Sequence, residues 1–208
     1  MNRNDGSRSV AEYFEHLAAC LNRVSTDTIE RYVDVLVDAG LSRRRVFVFG
    51  NGGSAHLAQH HAQDLVKAVA VPAGGGIRAS ALVDNVGLTT AIANDLDYAD
   101  VFALPLRTLA ERGDVAVAIS CSGTSPNVVA AHQWAVEAGL VTVSFTGAGG
   151  GVIGPRSTCW VEAPSTAYGA IEDLHHAMLH ASAFEANRRI GALASVGSDV
   201  PQAGSHGV

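Results

Sequence analysis

The sequence has little charge, little proline and few cysteines for its length. Only 16% of its 208 residues are charged while 48% are hydrophobic, which excludes a wholly disordered chain. It contains 22 Gly but only 6 Pro, and this favours tight turns and close backbone approaches over a linker or a collagen-like repeat. A chain of this length predicts one compact domain with a conventional core.

Basic stretches and long apolar runs are scarce as well. The net charge is −6 and the only basic run is 43–45, so we expect no direct binding of nucleic acid. No apolar run approaches the roughly 18 residues of a membrane helix, and residues 1–6 are polar where a signal peptide would be apolar. We therefore expect a cytoplasmic protein that contacts no membrane.

The three cysteines are scattered at Cys20, Cys121 and Cys159, with no CxxC spacing. This arrangement offers neither a disulfide framework nor a zinc site made of thiolates. Any bound metal would therefore need histidine and carboxylate ligands.

Hydrophobic periodicity predicts strands that alternate with helices through the middle of the chain. Two helices are expected within 10–40, and the last long helix over 167–187. Apolar strands joined by helices predict a parallel sheet covered on both faces, an α/β three-layer sandwich. We assign 1–190 to this domain and 191–208, rich in Gly, Ser and Ala, to a disordered tail. The predicted strands are 46–49, 79–83, 115–119, 141–145 and 158–162.

Two loops that follow strands have the composition of phosphate sites. One is the glycine-rich segment 50–54, and the other, 120–125, carries four hydroxyl side chains in six residues. Each serine alone is more typical of a helix cap, but glycines, free amides at a helix N-terminus and a cluster of hydroxyls together suit a phosphate. Segment 50–55 also matches a dinucleotide fingerprint, but the acidic residue that this fingerprint needs about 20 residues on is absent.

Histidines and carboxylates recur at helical spacing in two segments. His60 and Asp64 lie four residues apart on one predicted helix face, and Glu172, His176 and His180 share a face of the last long helix. These donors suit zinc or a similar divalent ion, but ordinary ion pairs would produce the same spacing. The doublets 60–61 and 175–176 leave the choice of ligand open.

The sequence resembles the sugar isomerase (SIS) domain family, and in particular its phosphoheptose isomerase branch, over residues 10–187. The resemblance rests on ordered motifs: FGNGGSA with AQH at 49–60, LTTAIAND at 88–95, GD at 113–114, ISCSGTS at 119–125, and PST at 164–166 followed by Ile171 and His180. It implies a single SIS-type domain with a five-stranded parallel sheet flanked by helices. It also implies a homotetramer whose active sites lie at subunit interfaces.

The function implied is that of a metal-dependent isomerase of carbohydrate metabolism, converting D-sedoheptulose 7-phosphate to D-glycero-D-manno-heptose 7-phosphate or acting on a related ketose phosphate. The alternative is a non-catalytic SIS tetramer that binds a sugar phosphate or a protein partner such as a replication initiator. The resemblance places the acid/base pair on His180 and Asp64. It places zinc, or another divalent metal, on His60, Asp64, Glu172 and His180. The substrate and its phosphate are implied to contact Asn51, Gly52, Gly53, Ser54, Asp95, Ser120, Cys121, Ser122 and Ser125.

Several positions depart from the pattern of that branch. Asp64 stands where glutamate is typical, Glu172 where glutamine is typical, and Cys121 where threonine is usual. Ala68 replaces a frequent arginine. Gly169 and Ala170 replace the acidic and basic residues that usually precede Ile171. Aspartate is one methylene shorter than glutamate, so its carboxylate retreats by about 1.5 Å. These departures therefore bear most on which sugar phosphate the protein would act on.

Overall fold

The computed structural model describes residues 9–68 and 76–198 of the chain. Within these ranges it contains seven α-helices, five strands and two short 3-10 helices, at Tyr98–Asp100 and Gly154–Arg156. The α-helices are α1 (Val10–Leu21), α2 (Thr26–Leu41), α3 (Gly53–Ala68), α4 (Val86–Asp95), α5 (Ala103–Leu109), α6 (Pro126–Glu137) and α7 (Tyr168–Ser198). The strands are β1 (Arg45–Gly50), β2 (Arg78–Ala81), β3 (Val115–Ser120), β4 (Val141–Thr146) and β5 (Cys159–Glu162).

The strands form one sheet in the order β2-β1-β3-β4-β5, with every neighbouring pair parallel. This confirms the predicted α/β class. The chain leaves β1 towards one edge of the sheet and leaves β3 towards the other, so the strand order reverses between these two strands. In open parallel sheets that reversal point opens a crevice at the carboxyl ends of the strands, where ligands bind.

The core lies on both faces of the sheet, because alternate side chains of each strand point to opposite sides. In β1, Val46 and Val48 pack in a cluster with buried residues of α2, α3 and α7. Phe47 and Phe49 pack in a second cluster with residues of α4, α5 and α6. The two apolar layers confirm the three-layer sandwich that the uninterrupted apolar strands predicted.

The end of α7 differs from the prediction. The helix continues to Ser198, so residues 191–198 are helical, whereas the composition of 191–208 predicts a disordered tail. Ile190 is fully buried and Arg189 pairs with Glu30 and Asp34 of α2, which anchors this part of α7 to its neighbour. The helix therefore extends beyond the point at which composition alone predicted its end. Residues 199–208 lie outside the described residues.

None of the described helices is both long and apolar enough to cross a bilayer.

Candidate functional site

The loops after β1 and β3 meet at the reversal point of the sheet. Gly50 at the end of β1 is in register with Ile119 of β3. The side-chain amides of Asn51 and Asn127 form a reciprocal pair, each donating to the other's oxygen at 2.8 Å. Tyr98 adds a hydroxyl that donates to the Asn51 oxygen at 3.1 Å. Asn51 therefore ties the first loop to the start of α6.

Residues 120–125, here called the serine loop, fold back on themselves. The backbone N–H of Gly123 donates to Ser120 Oγ, and that of Thr124 donates to Ser122 Oγ, each at 3.2 Å. Gly123 has φ +63°, and a Cβ there would lie 2.9 Å from the Gly150 carbonyl carbon, so only glycine lets the 147–151 turn approach. Ser125 precedes α6, but its side chain makes no capping hydrogen bond. Its hydroxyl is therefore available to a ligand.

A cavity of about 140 Å³ opens between the serine loop, α3 and the start of α7. It brings together Asn51, Ser54 and four of the predicted residues of the serine loop. Among the described residues, those that line it include no lysine or arginine. Its lining consists of Asn51, Ser54, Ile119, Ser120, Cys121, Ser122, Ser125, Tyr168 and Glu172.

Three predicted substrate residues lie elsewhere in the described structure. Gly52 and Gly53 shape the entry to α3 without lining the cavity. Asp95 ends α4 on the surface, where it accepts a hydrogen bond from Asn94 Nδ2 at 2.7 Å.

Cys121 and Glu172 both line the cavity. Burial raises the pKa of the Cys121 thiol to about 11, and the charge of Glu172 adds to this rise. Burial also raises the pKa of Glu172 above its ordinary value, with a smaller contribution from Asp173. The Glu172 carboxylate packs over Gly53, where a Cβ would lie 2.7 Å from its Oε2. Glycine at the start of α3 therefore leaves room for this carboxylate.

A second group, here called the histidine cluster, consists of His60 and Asp64 on α3 with His176 and His180 on α7. His60 Nε2 and His180 Nε2 are 2.8 Å apart, and Asp64 Oδ2 lies 3.4 Å from each of them. His176 joins the same group, since one nitrogen from each of the three imidazoles lies within 4.8 Å of the others. Glu172 is not part of this group in the described structure.

The donor atoms of the histidine cluster fit a divalent metal ion. A tetrahedral ion with bonds of about 2.1 Å holds its ligand atoms about 3.4 Å apart, which matches the 3.4 Å from Asp64 Oδ2 to each of His60 Nε2 and His180 Nε2. Asp64 Oδ2 and His176 Nε2 are buried and have no hydrogen-bond partner among the described residues. Buried polar atoms are usually satisfied, and a bound cation would satisfy each of these two.

The helix geometry separates the members of the two histidine doublets. His61 points into the core, where its Nε2 lies 2.7 Å from the Tyr32 hydroxyl, and burial lowers its pKa to about 3. His175 is fully buried against Phe145, and burial lowers its pKa to about 4. His60, which precedes His61, and His176, which follows His175, face the histidine cluster instead.

The outcome for the predicted ligands is mixed. The structure brings His60, Asp64 and His180 together, and it places Glu172 in the serine-loop cavity. The ligand set implied by the resemblance omits His176, although helical spacing alone had placed it on one face with Glu172 and His180 as a candidate donor.

Comparison with known proteins agrees with this fold. Residues 12–147 match the family model of the SIS domain. The chain belongs to the SIS domain family. This confirms the family that the sequence motifs indicated.

Individual relatives point to one branch of the family. The chain is 36% identical over 183 residues to a phosphoheptose isomerase from Mycobacterium tuberculosis, covering 84% of this chain and 91% of the relative. It is 33% identical over 168 residues to one from Halorhodospira halophila, covering 76% and 84%. The solved phosphoheptose isomerase of Neisseria gonorrhoeae superposes with a TM-score of 0.77 at 26% identity, covering 88% of this chain and 97% of that structure.

Proposed function

We propose that this chain is a phosphoheptose isomerase that interconverts D-sedoheptulose 7-phosphate and D-glycero-D-manno-heptose 7-phosphate. The observation that carries the proposal is the pairing of two groups along α3 and α7: a cavity lined by hydroxyls and a cluster of imidazoles and a carboxylate. Relatives that bear this name cover most of the chain and support the assignment.

The serine loop is the proposed site of the substrate's phosphate. Ser120, Ser122 and Ser125 offer hydroxyls beside the N-terminus of α6, where the helix dipole favours an anion. The thiol of Cys121 stays protonated at neutral pH because its pKa is raised, so it adds no charge against the phosphate. Binding energy from this remote phosphate then positions the reacting carbons at the other end of the sugar.

The histidine cluster is the proposed site of the chemistry, with His60, Asp64 and His180 as ligands of a divalent metal, zinc being the first candidate. Such an ion would supply positive charge that polarises the sugar carbonyl. Isomerisation moves one proton between neighbouring carbons and one between their oxygens. We assign the carbon-bound proton to the carboxylate of Asp64 and the proton on the oxygens to the imidazole of His180.

The assembly we propose is a cytoplasmic homotetramer with active sites at subunit interfaces. The side chains of His60 and His180 are 41% and 36% exposed, so a single chain leaves the cluster open to water. Phe184 stacks on the His180 ring at 5.8 Å and is 62% exposed. A large exposed apolar side chain beside an open polar cluster supports coverage by a second copy of the chain.

An isomerase assay tests the proposal directly. Wild-type protein supplied with zinc and sedoheptulose 7-phosphate should form the heptose 7-phosphate, followed by NMR of its anomeric signals. Asp64→Asn should abolish turnover while the melting temperature still rises with added phosphate. If wild type is stabilised by the sugar phosphate but forms no product, the non-catalytic binding function replaces the isomerase.

A further inference from the structure

His176 is positioned as a member of the histidine cluster. Its ring centroid lies 4.8 Å from that of His60 and 4.4 Å from that of His180. Its Nε2 is buried without a hydrogen-bond partner among the described residues. A buried imidazole nitrogen aimed at two other imidazoles needs either a proton donor or a cation, and a cation satisfies all three at once.

The two helices offer matched pairs of donors. His60 and Asp64 are four residues apart on α3, and His176 and His180 are four residues apart on α7, so each pair projects from one helical face. The helices pack against each other with these faces opposed. Together the two pairs offer four donor atoms to one ion, and an ion that expands to five ligands keeps a position for the substrate's carbonyl oxygen.

Glu172 lies about one helical turn, roughly 6 Å, before His176 on α7. The Glu172 carboxylate lies against Gly53 of α3. Gly53 precedes His60 on that helix by about two turns, roughly 10 Å. The same carboxylate lines the serine-loop cavity with Ser54 and Ser122. Glu172 therefore lies between the proposed phosphate site and the histidine cluster.

We propose that His176 completes the metal site with His60, Asp64 and His180, and that Glu172 contacts the sugar instead of the metal. This inference rests on the proposed function, because it takes the cavity as the substrate's site. A carboxylate between the two ends of an extended sugar phosphate would accept hydrogen bonds from the hydroxyls of its middle carbons. Glu172 is then a substrate-binding residue that selects polyhydroxylated chains.

The charge of the site favours the same division of roles. Three neutral imidazoles and one carboxylate leave a divalent ion with one net positive charge, whereas a second carboxylate ligand would cancel it. An ion that keeps positive charge is the better electrophile for a carbonyl. Replacement of a neutral amide by Glu172 is therefore compatible with metal-assisted chemistry if Glu172 does not bind the metal.

Cobalt substitution separates the two roles without an activity readout. In Co²⁺-loaded protein each coordinated histidine gives one strongly shifted ring N–H signal in the proton NMR spectrum. We expect three such signals in wild type, two in His176→Ala and three in Glu172→Ala. Chelator competition should show that His176→Ala binds Co²⁺ at least roughly 100-fold more weakly, since even outer-shell losses cost about 10- to 100-fold. Glu172→Ala should bind it within about 3-fold of wild type.

His56→Ala is the matched control, because it removes an exposed histidine of α3 that hydrogen-bonds the Gly52 carbonyl. It should retain three shifted signals and wild-type affinity. Melting curves of the metal-free proteins show whether each variant is folded. The proposal is overturned if folded His176→Ala keeps three signals, or if Glu172→Ala changes the cobalt spectrum and loses affinity.

Turnover then reports on Glu172 separately. Zinc-loaded Glu172→Ala should show an increased KM or reduced kcat on sedoheptulose 7-phosphate, with unchanged metal content. Wild-type activity on that sugar is measured in the same series. An inactive wild type with three cobalt-bound histidines would refute the proposed isomerase function and leave the ligand assignment standing. An active wild type with only two cobalt-bound histidines would refute the ligand assignment and leave the proposed isomerase function standing.

Discussion

The serine loop and the histidine cluster are constructed in opposite ways. The serine loop is one continuous segment, so its composition is visible in the sequence and its backbone is shaped by its own hydrogen bonds. The histidine cluster joins α3 to α7, with His60 and His180 separated by 120 residues. A local segment carries its chemistry in its composition, whereas a cluster between distant helices depends on how those helices are packed and rotated.

The largest expected effect is that of breaking the cluster from the α3 side. His60→Ala removes one of two imidazoles whose nitrogens are 2.8 Å apart, so both metal binding and proton transfer suffer. We expect kcat/KM on sedoheptulose 7-phosphate to fall about 1,000-fold, within the range of lost acid–base and metal catalysis. Elemental analysis should show loss of metal, and unchanged metal content would contradict this role for the cluster.

Breaking the serine loop should affect binding more than chemistry. In Ser122→Ala combined with Ser125→Ala two hydroxyls are lost, each worth about one hydrogen bond, so KM should rise about 10- to 100-fold. Metal content should stay at the wild-type level, because the loop lies outside the cluster. The melting shift caused by inorganic phosphate should disappear. A full shift in the double variant would place the phosphate elsewhere.

Gly53→Ala tests the point at which the two regions adjoin. The added Cβ would clash with the Glu172 carboxylate and push it out of the cavity. We expect a loss in kcat/KM of about 3- to 10-fold, because the shifted carboxylate misplaces the substrate. Helix stability should change by less than about 1 kcal/mol, since alanine is a good helix former. Glu172→Ala is the comparison variant. If displacement of the Glu172 carboxylate causes the loss, Gly53→Ala added to Glu172→Ala should lower kcat/KM little further.

The smallest effect on activity is expected at His132, which lies away from both regions. Burial, helped by Arg156, lowers its pKa to about 4, and its Nε2 lies 2.8 Å from Ser157 Oγ. The unfolded chain binds this proton below about pH 6.5 while the folded protein does so only below about 4. Stability should therefore fall as pH drops through this interval, by up to roughly 3 kcal/mol from this residue.

Denaturant unfolding of wild type and His132→Gln at pH 7 and pH 4.5 measures that contribution. The variant should lose less stability between the two values, and its kcat/KM at pH 7 should match that of wild type. Equal pH dependence in the two proteins would contradict a buried neutral His132.

The sequence by itself determined the layers of this protein. Uninterrupted apolar strands such as 115–119 need cover on both faces, and the structure has it in two apolar clusters. The positions of loops 50–54 and 120–125 followed from the same pattern, because the carboxyl ends of parallel strands lie at one edge of the sheet. Composition failed at 191–198, where burial of Ile190 and the pairing of Arg189 with α2 extend a helix that local residue preferences ended early.

Only the tertiary structure decided which side chains meet. In the sequence, His60 and His61, or His175 and His176, are equal candidates, since neighbours on a helix differ only by a rotation of about 100°. Packing of α3 and α7 on the sheet fixes that rotation, which buries His61 and His175 and turns His60 and His176 to each other. The same packing sets Glu172 over Gly53, in the cavity of the serine loop. Spacing along one helix limits which residues share a face, but the contact between two helices selects the face.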